Sequence, residues 1–311
     1  MPSSPMSTLI GLSKFIIVVG PTASGKSAVA VRLAKKFNGE VISADSRQVY
    51  RGLDIGTGKI TKKEAHGVPH HLLDVTSPKK TFTVAQYQKL GQRAIRDVLR
   101  RNKLPIICGG SGFYIDALLY EYGIPEVTPN PALRRELGTL TAERLFTTLQ
   151  KLDPRRAAAI DRHNKRRLVR ALEIILQTGK PVPDVSLRQA QGKFSQYEIL
   201  KLGIRLPDSE LKQRIRKRLI TRMRQGMTSE TRRLHERGLS WKRMEELGLE
   251  YRYLARFLQG TITKSEMLAQ LEKEIWHYAK RQMTWFKRDK EIRWVTMSKH
   301  AEKLTKQFLG I

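Results

Sequence analysis

A glycine-rich segment near the start of the chain has the spacing of a phosphate-binding loop. It matches the pattern G-x-x-x-x-G-K-[ST] with the residues Gly20, Pro21, Thr22, Ala23, Ser24, Gly25, Lys26 and Ser27. Glycines let backbone N–H groups surround phosphate oxygens, and the N-terminus of a following helix adds partial positive charge. The Lys26 ammonium can neutralise phosphate charge, and the Ser27 hydroxyl can ligate Mg²⁺. The pattern predicts a diphosphate site with a magnesium ion and leaves open which reaction follows.

Asp45 is the candidate proton acceptor beside that loop, because it follows the predicted strand Glu40–Ser43. In open α/β sheets the working groups lie beyond the carboxyl ends of the strands, where a carboxylate can take a proton from a nucleophile. The alternative is that Asp45 caps a helix or closes a turn. A later strand, Leu104–Cys108, ends in glycines where an ATPase would commonly carry a metal-binding Asp, which weakens the ATPase interpretation.

Three further groups of residues could contact anions. The segment Gly109–Tyr114 (GGSGFY) places the Ser111 hydroxyl at a strand end, where it could donate to a phosphate, although a tight turn explains the glycines equally. Two rows of arginines have i, i+4 spacing, and they are Arg162, Arg166 and Arg170, and Arg214, Arg218 and Arg222. Like charges at this spacing cost about 0.2–0.5 kcal/mol per pair. A bound polyanion would remove that cost, and a solvated helix face would tolerate it.

The elements that must position these residues are predicted to form an α/β fold, a P-loop NTPase-like parallel sheet flanked by helices. Apolar strands, Phe15–Val19, Leu104–Cys108 and Tyr197–Leu206 among them, alternate with helices such as Val84–Arg101. Between them the pattern becomes helical, with a clear amphipathic helix at Lys165–Gln177. We therefore expect residues 1–125 and 197–311 to form the core with C-terminal helices, and residues 126–196 to form a helical insertion domain that contacts nucleic acid.

The amino-acid composition indicates which kinds of partner the protein binds. The 311 residues carry a net charge of +30, spread over the whole chain, which favours a long polyanion such as nucleic acid. The single cysteine, Cys108, excludes an intrachain disulfide and a cysteine-based zinc site. No apolar stretch approaches the roughly 20 residues of a membrane span. We expect a cytoplasmic enzyme that acts as a monomer, without a membrane partner.

The chain resembles the bacterial tRNA dimethylallyltransferases, a prenyl-transferring branch of the P-loop superfamily, from about Ile16 to Trp294. The segments that carry the resemblance are GPTASGKS (20–27), VISADSRQVYRGLDIGTGK (41–59), PHHLLDV (69–75), GGSGFY (109–114), RRLVRALEI (166–174) and AKRQMTWF (279–286). The family usually has Thr where Ser27 and Ser111 stand, and both residues keep the hydroxyl. Its usual I/V-G-Y-R/K segment appears here as Leu247–Arg252, with the sequence LGLEYR.

The resemblance implies transfer of a dimethylallyl group from dimethylallyl diphosphate, with Mg²⁺, to N6 of the adenine immediately 3′ of the anticodon in tRNA. It implies that Asp45 is the general base, that Ser111 contacts the diphosphate, and that Arg218 also engages it. The residues that would lie against tRNA are Asp45, Ser46, Arg47 and Gln48, and Arg166, Arg167, Leu168, Val169 and Arg170. The target base would flip into a channel between core and insertion. His70 and His71 also match the family and are interpreted as structural.

Two other functions use the same residues. A small-molecule kinase would pair the P-loop with Asp45 as a base for a hydroxyl, but would have little use for a charge of +30. A nucleic-acid-binding regulator would use its nucleotide site only as a switch and would leave the RNA chemically unchanged.

Overall fold

The computed structural model describes residues 13–120, 127–183 and 197–311. The chain divides into two compact units, one made of Met1–Leu119 with Lys193–Ile311, and the other made of Tyr120–Gly192. In the described residues no helix combines the length and the apolar character that a membrane span requires.

The first unit contains an all-parallel sheet, with six strands among the described residues. The strands are β1 (Ser13–Val19), β2 (Gly39–Ser43), β3 (His70–His71), β4 (Leu104–Gly109), β5 (Tyr197–Ile204) and β6 (Arg293–Val295), in the order β3-β2-β4-β1-β5-β6. The central strand β1 is buried on both faces, as expected where helices cover both sides of a parallel sheet. The predicted α/β fold is confirmed, and the short edge strands β3 and β6 were not predicted.

Helices connect and cover these strands. In the described ranges they are α1 (Lys26–Lys36), α2 (Lys62–Ala65), α3 (Val84–Arg100), α4 (Gly112–Leu119), α5 (Pro131–Thr139), α6 (Ala142–Leu152), α7 (Pro154–Ala159), α8 (Lys165–Thr178), α9 (Asp208–Arg224), α10 (Met227–Glu236), α11 (Trp241–Leu247), α12 (Leu249–Leu258), α13 (Lys264–Phe286) and α14 (Ser298–Leu309). The predicted arginine row is wrong at Arg162, because Asn164 caps α8 and leaves Arg162 outside that helix.

The second unit has an apolar core of its own, formed by α5 to α8. Glu173 of α8 is fully buried there and accepts hydrogen bonds from Arg134 Nε at 2.7 Å and from Arg170 Nη1 at 2.6 Å. The backbone N–H of Asn130 donates to the same carboxylate at 2.8 Å. A buried carboxylate needs such partners, so Arg170 has a role inside this unit.

A second buried carboxylate joins β2, β3 and the end of α3. Glu40 is 1% exposed and pairs with Arg101 and with Lys103, whose Nζ lies 3.1 Å from its Oε1. The His71 Nε2 atom lies 2.7 Å from Glu40 Oε2. His71 therefore has a structural contact that fixes the short strand β3 to its neighbour.

Glu40→Gln is expected to lower the free energy of unfolding by about 3 kcal/mol at pH 7, the low end for a broken buried pair, because Arg101 and Lys103 can turn to solvent. Hydrogen bonds from Arg101, and then from His71 and Lys103, lower the pKa of Glu40 to about 2. Its folded pKa lies below the unfolded value, so its contribution is present above about pH 4.5 and is lost as the pH falls toward 2. Urea unfolding at pH 7 and pH 3 measures both effects.

Asp97→Asn is the matched control, because Asp97 also pairs with Arg101 but at the surface. It is expected to change the free energy of unfolding by less than about 1 kcal/mol. Equal stabilities of Glu40→Gln and the wild type would contradict the structural role of this network.

Candidate active site

The P-loop (residues 20–27) joins the end of β1 to the start of α1, as the pattern predicts. Gly25 caps α1 with a φ of +91°, a conformation that favours glycine. A Cβ at Gly20 would lie 2.9 Å from the carbonyl oxygen of Ile204, so the loop passes close to β5. Ser24 is 3% exposed, and its Oγ has no hydrogen-bond partner among the described residues. A buried hydroxyl left in this state is suited to a phosphate oxygen.

Two cations lie at this loop. Lys26 Nζ donates to the carbonyl of Pro21 at 3.2 Å, and burial together with the nearby Arg218 lowers the pKa of Lys26. Arg218 of α9 donates to Thr22 Oγ1 and to the Gly58 carbonyl, each at 3.3 Å. Burial, with a contribution from a neighbouring arginine, lowers the pKa of Arg218 to about 10. Both cations are destabilised by their surroundings, and a bound anion would relieve this.

A cavity of about 880 Å³ opens beside these groups. Its lining includes Gly25, Lys26, Ser27, Gly58 and Arg218. The structure therefore brings Arg218, predicted from a distant helix, to the P-loop, and it supplies room for a phosphorylated ligand of the size of an allylic diphosphate.

Gln282 of α13 fastens the P-loop to the second glycine segment. Its Oε1 accepts from the Thr22 N–H at 2.8 Å, and its Nε2 donates to the Gly110 carbonyl at 2.8 Å. A Cβ at Gly110 would lie 2.1 Å from that nitrogen, so a side chain at this position would displace the Gln282 amide. The sequence did not single out Gln282, and its only signal was its place in the AKRQMTWF segment.

Asp45 follows β2 and sits in a turn. Its Oδ1 accepts from the backbone N–H groups of Arg47 at 2.8 Å and Gln48 at 3.3 Å. Within the described part of the chain no hydrogen bond reaches Oδ2. One carboxylate oxygen therefore closes the turn, as the alternative interpretation of Asp45 predicts, and the other is available to a substrate. The role of Asp45 as a base stays a prediction.

Ser111 lies next to that turn because β2 and β4 are neighbours. Its Oγ accepts from the Ser46 N–H at 3.1 Å, and its own N–H donates to the Ala44 carbonyl at 3.2 Å. A Cβ at Gly109 would lie 2.0 Å from the same carbonyl oxygen, so the two strand ends touch. The structure therefore brings Asp45 and Ser111, two predicted site residues, to adjacent strand ends.

Ser27, the predicted metal ligand, is exposed in the first turn of α1 and lies close to Cys108. Burial raises the pKa of the Cys108 thiol to about 11, so it stays neutral. The described residues contain no cluster of three or more His, Cys, Asp or Glu that could hold a metal. These residues fit Mg²⁺ that is held by one hydroxyl, by phosphate oxygens and by water, which is a common arrangement for this ion.

The residues predicted to face tRNA differ in how far their side chains are exposed. Ser46, Arg47 and Gln48 are half-buried, and Gln48 Nε2 donates to the Gly58 carbonyl at 3.3 Å. Arg166 and Arg167 are exposed in the first turn of α8, and Val169 is half-buried. Leu168 is fully buried in its unit's core, and Arg170 pairs with Glu173, so neither side chain is presented as the sequence suggested.

The chain is similar to known proteins over most of its length. The family model described as IPP transferase matches residues 48–289. A relative from Citrifermentans bemidjiense named tRNA dimethylallyltransferase 2 is 42% identical over 89% of this chain and 87% of its own length. The tRNA dimethylallyltransferase of Anoxybacillus flavithermus is 38% identical over 92% of this chain and 91% of its own.

Solved structures give the same result. The tRNA isopentenylpyrophosphate transferase of Bacillus halodurans aligns with a TM-score of 0.70 and 35% identity, covering 96% of both chains. A eukaryotic dimethylallyltransferase acting on tRNA aligns with a TM-score of 0.80 and 26% identity, covering 96% of this chain and 80% of its own. The family match extends over most of this sequence, and the named relatives are about 40% identical over most of its length, so the chain belongs to the IPP transferase family of tRNA dimethylallyltransferases.

Proposed function

We propose that the protein transfers a dimethylallyl group from dimethylallyl diphosphate to N6 of the adenine 3′-adjacent to the anticodon in tRNA, and releases diphosphate. The observation that carries the proposal is the cavity lined by Lys26, Ser27 and Arg218 beside the P-loop, in a chain of this family. Two half-buried cations at the edge of an open volume are suited to a compact, multiply charged anion.

In the proposed reaction the bond between the allylic carbon and the diphosphate oxygen breaks, and a bond between that carbon and N6 forms. Charge grows on the leaving diphosphate, and Lys26, Arg218 and the P-loop amides stabilise it. When bound, Mg²⁺ supplies further positive charge to the phosphate oxygens. The Ser111 hydroxyl donates a hydrogen bond to the leaving diphosphate. Asp45 accepts the proton that N6 loses, through the carboxylate oxygen that is not committed to the turn.

The tRNA partner is supported by the charge of +30 and by the exposed first turn of α8. Arg166 and Arg167 lie there, where the N–H groups of a helix N-terminus add to their positive charge. The target base must leave its stack before its amino group can react.

Arg166→Ala with Arg167→Ala is expected to weaken tRNA binding at 0.1 M salt by about tenfold, since each residue is proposed to contact a phosphate. The slope of log K against log salt concentration should fall by about 1 for each lost contact. Arg170 is left unchanged, because it pairs with buried Glu173. Filter binding over a salt series measures both quantities.

The matched control is Arg135→Ala with Arg144→Ala, which removes two exposed arginines from other helices of the same unit. We expect this pair to retain most of the affinity. Equal losses in the two double variants would show that binding follows net charge alone and that α8 has no special role.

Mass spectrometry of nucleosides tests the function itself. Unmodified tRNA is incubated with the protein, dimethylallyl diphosphate and Mg²⁺, and adenosine is expected to gain one dimethylallyl group. Incubation with ATP and candidate alcohols is expected to give no phosphorylated product. Phosphorylated alcohol would favour the kinase, and bound but chemically unchanged tRNA would favour the regulator.

A further inference from the structure

The segment Leu247–Arg252, where this chain departs from the usual family pattern, packs behind the P-loop site. Tyr251 is buried and donates its hydroxyl to Glu230 Oε1 at 2.8 Å. The Glu230 carboxylate in turn accepts the backbone N–H groups of residues 54–56, at 2.7 to 3.0 Å. The segment thus fixes the backbone turn that precedes Gly58, whose carbonyl Arg218 contacts.

Glu250 of the same segment pairs with a buried guanidinium, that of Arg222. Arg222, one turn after Arg218 on α9, places Nη1 3.3 Å from Glu250 Oε1 and 3.3 Å from the Gly56 carbonyl oxygen. The Arg222 side chain is only 9% exposed. Its Nη2 is buried and has no hydrogen-bond partner among the described residues.

The unpartnered nitrogen lies beside Arg218. A Cβ at Gly58 would come within 1.5 Å of Arg222 Nη2 and 2.2 Å of Arg218 Nη2, so both guanidinium groups meet at this glycine. Both arginines line a cavity of about 550 Å³. That cavity shares Ala23, Gly58, Glu64 and Arg218 with the P-loop cavity, so the two volumes adjoin.

Two cations held this close in a buried place repel each other, and an unpaired charged donor has lost its hydration. Glu250 compensates one of the two charges and uses Arg222 Nη1, which leaves Nη2 unused. An anion that accepts from both arginines would satisfy Nη2 and neutralise the second charge. A diphosphate has enough oxygens to bind Lys26 and both guanidinium groups together.

We propose that Arg222 is a second guanidinium ligand of the donor's diphosphate, and that Glu250 is the positioning residue that holds it. The inference rests on the proposed function, because it assigns a further residue to the same diphosphate site. Gly58 is then required for the close approach of the two arginines, and the LGLEYR segment is the part of this chain that supports them.

Titration calorimetry with inorganic diphosphate and Mg²⁺ tests the assignment. The double variant Arg222→Met with Glu250→Gln removes both members of the buried pair, so that neither charge is left alone. The single variant Glu250→Gln is the reference, because the Gln amide oxygen can still accept from Arg222 Nη1 and hold it in place. Arg216→Met, which changes an exposed arginine of the same helix, is the control. The double variant is expected to raise the Kd for diphosphate by about 10- to 100-fold over Glu250→Gln, the range for a hydrogen-bonded charge.

In the double variant the KM for dimethylallyl diphosphate should rise in parallel, while its Kd for tRNA stays within about twofold of that of Glu250→Gln. The Kd of Arg216→Met for diphosphate should stay within about twofold of the wild-type value. A folded double variant whose diphosphate Kd matches that of Glu250→Gln would overturn the inference. If the double variant does not fold, Arg222→Lys decides, because it keeps a charge beside Glu250 but lacks the second nitrogen. A rise of about tenfold supports the inference, and a Kd within twofold of wild type overturns it.

The two proposals fail in different ways. If the wild-type protein prenylates tRNA but the Arg222 variants bind diphosphate as tightly as their references, the assignment of Arg222 is wrong and the proposed function stands. If wild-type protein binds no diphosphate and transfers no prenyl group, the proposed function is wrong.

Discussion

Asp45→Asn is expected to lower the rate of prenyl transfer at saturating substrates by about 10²- to 10⁴-fold, the usual contribution of a positioned base. Asn keeps an oxygen that accepts from the N–H groups of Arg47 and Gln48, so the turn survives. It cannot take the proton from N6, and an exocyclic adenine amine is a poor nucleophile until that proton leaves. Single-turnover assays with labelled donor measure the chemical step directly.

The affinity of Asp45→Asn for tRNA should stay within about threefold of wild type, because the substitution changes no proposed phosphate contact. Asp208→Asn, an exposed carboxylate in the first turn of α9, is the matched control and should react at the wild-type rate. A wild-type rate in Asp45→Asn would remove Asp45 from the mechanism and leave it as a turn residue.

Lys26→Met is expected to raise the Kd for dimethylallyl diphosphate by about 10- to 100-fold, the range for a charged hydrogen-bond donor. Met has a similar length and no charge, so the packing of the loop is retained. The rate of transfer should fall as well, because the same ammonium stabilises charge that grows on the leaving diphosphate. Fluorescence competition with inorganic diphosphate gives the affinity, and single-turnover assays give the rate.

Lys35→Met is the control for Lys26→Met, because Lys35 lies on the same helix and lines the same cavity but is exposed. Solvent and salt screen an exposed charge, so its loss should change the donor Kd by less than about threefold. Unchanged donor affinity in Lys26→Met would contradict the role of the P-loop as the diphosphate site.

The parts of the site that sequence could predict are those encoded in short stretches. The 8-residue P-loop pattern predicts a strand before it and a helix after it, and the structure has β1, the loop and α1 in that order. Asp45 and Ser111 each follow an apolar run that forms a strand, and parallel strand ends meet at one edge of a sheet. Their proximity therefore follows from topology.

The parts that sequence could not predict depend on contacts between distant helices. Gln282 reaches the P-loop across 260 residues of chain, and the pairing of Arg222 with Glu250 joins two helices that have no shared pattern. A polar residue on an amphipathic helix reads as solvent-exposed until its neighbours are known. Strands β3 and β6 are two and three residues long, too short for an alternation pattern to appear.

The sheet order also sets when the enzyme can first bind its donor during synthesis. Strand β1 pairs with β4 and β5, so Ile16 can find its partner Ile106 early in synthesis but its partner Leu200 only after more than half of the 311 residues have been made. The hydrogen bond between the Thr22 N–H and Gln282, which joins the P-loop to α13, can form only later still. At typical elongation speeds this delay is on the order of tens of seconds. A nascent chain that stops before α13 therefore has the complete phosphate-binding motif but lacks Gln282, which holds the P-loop in place.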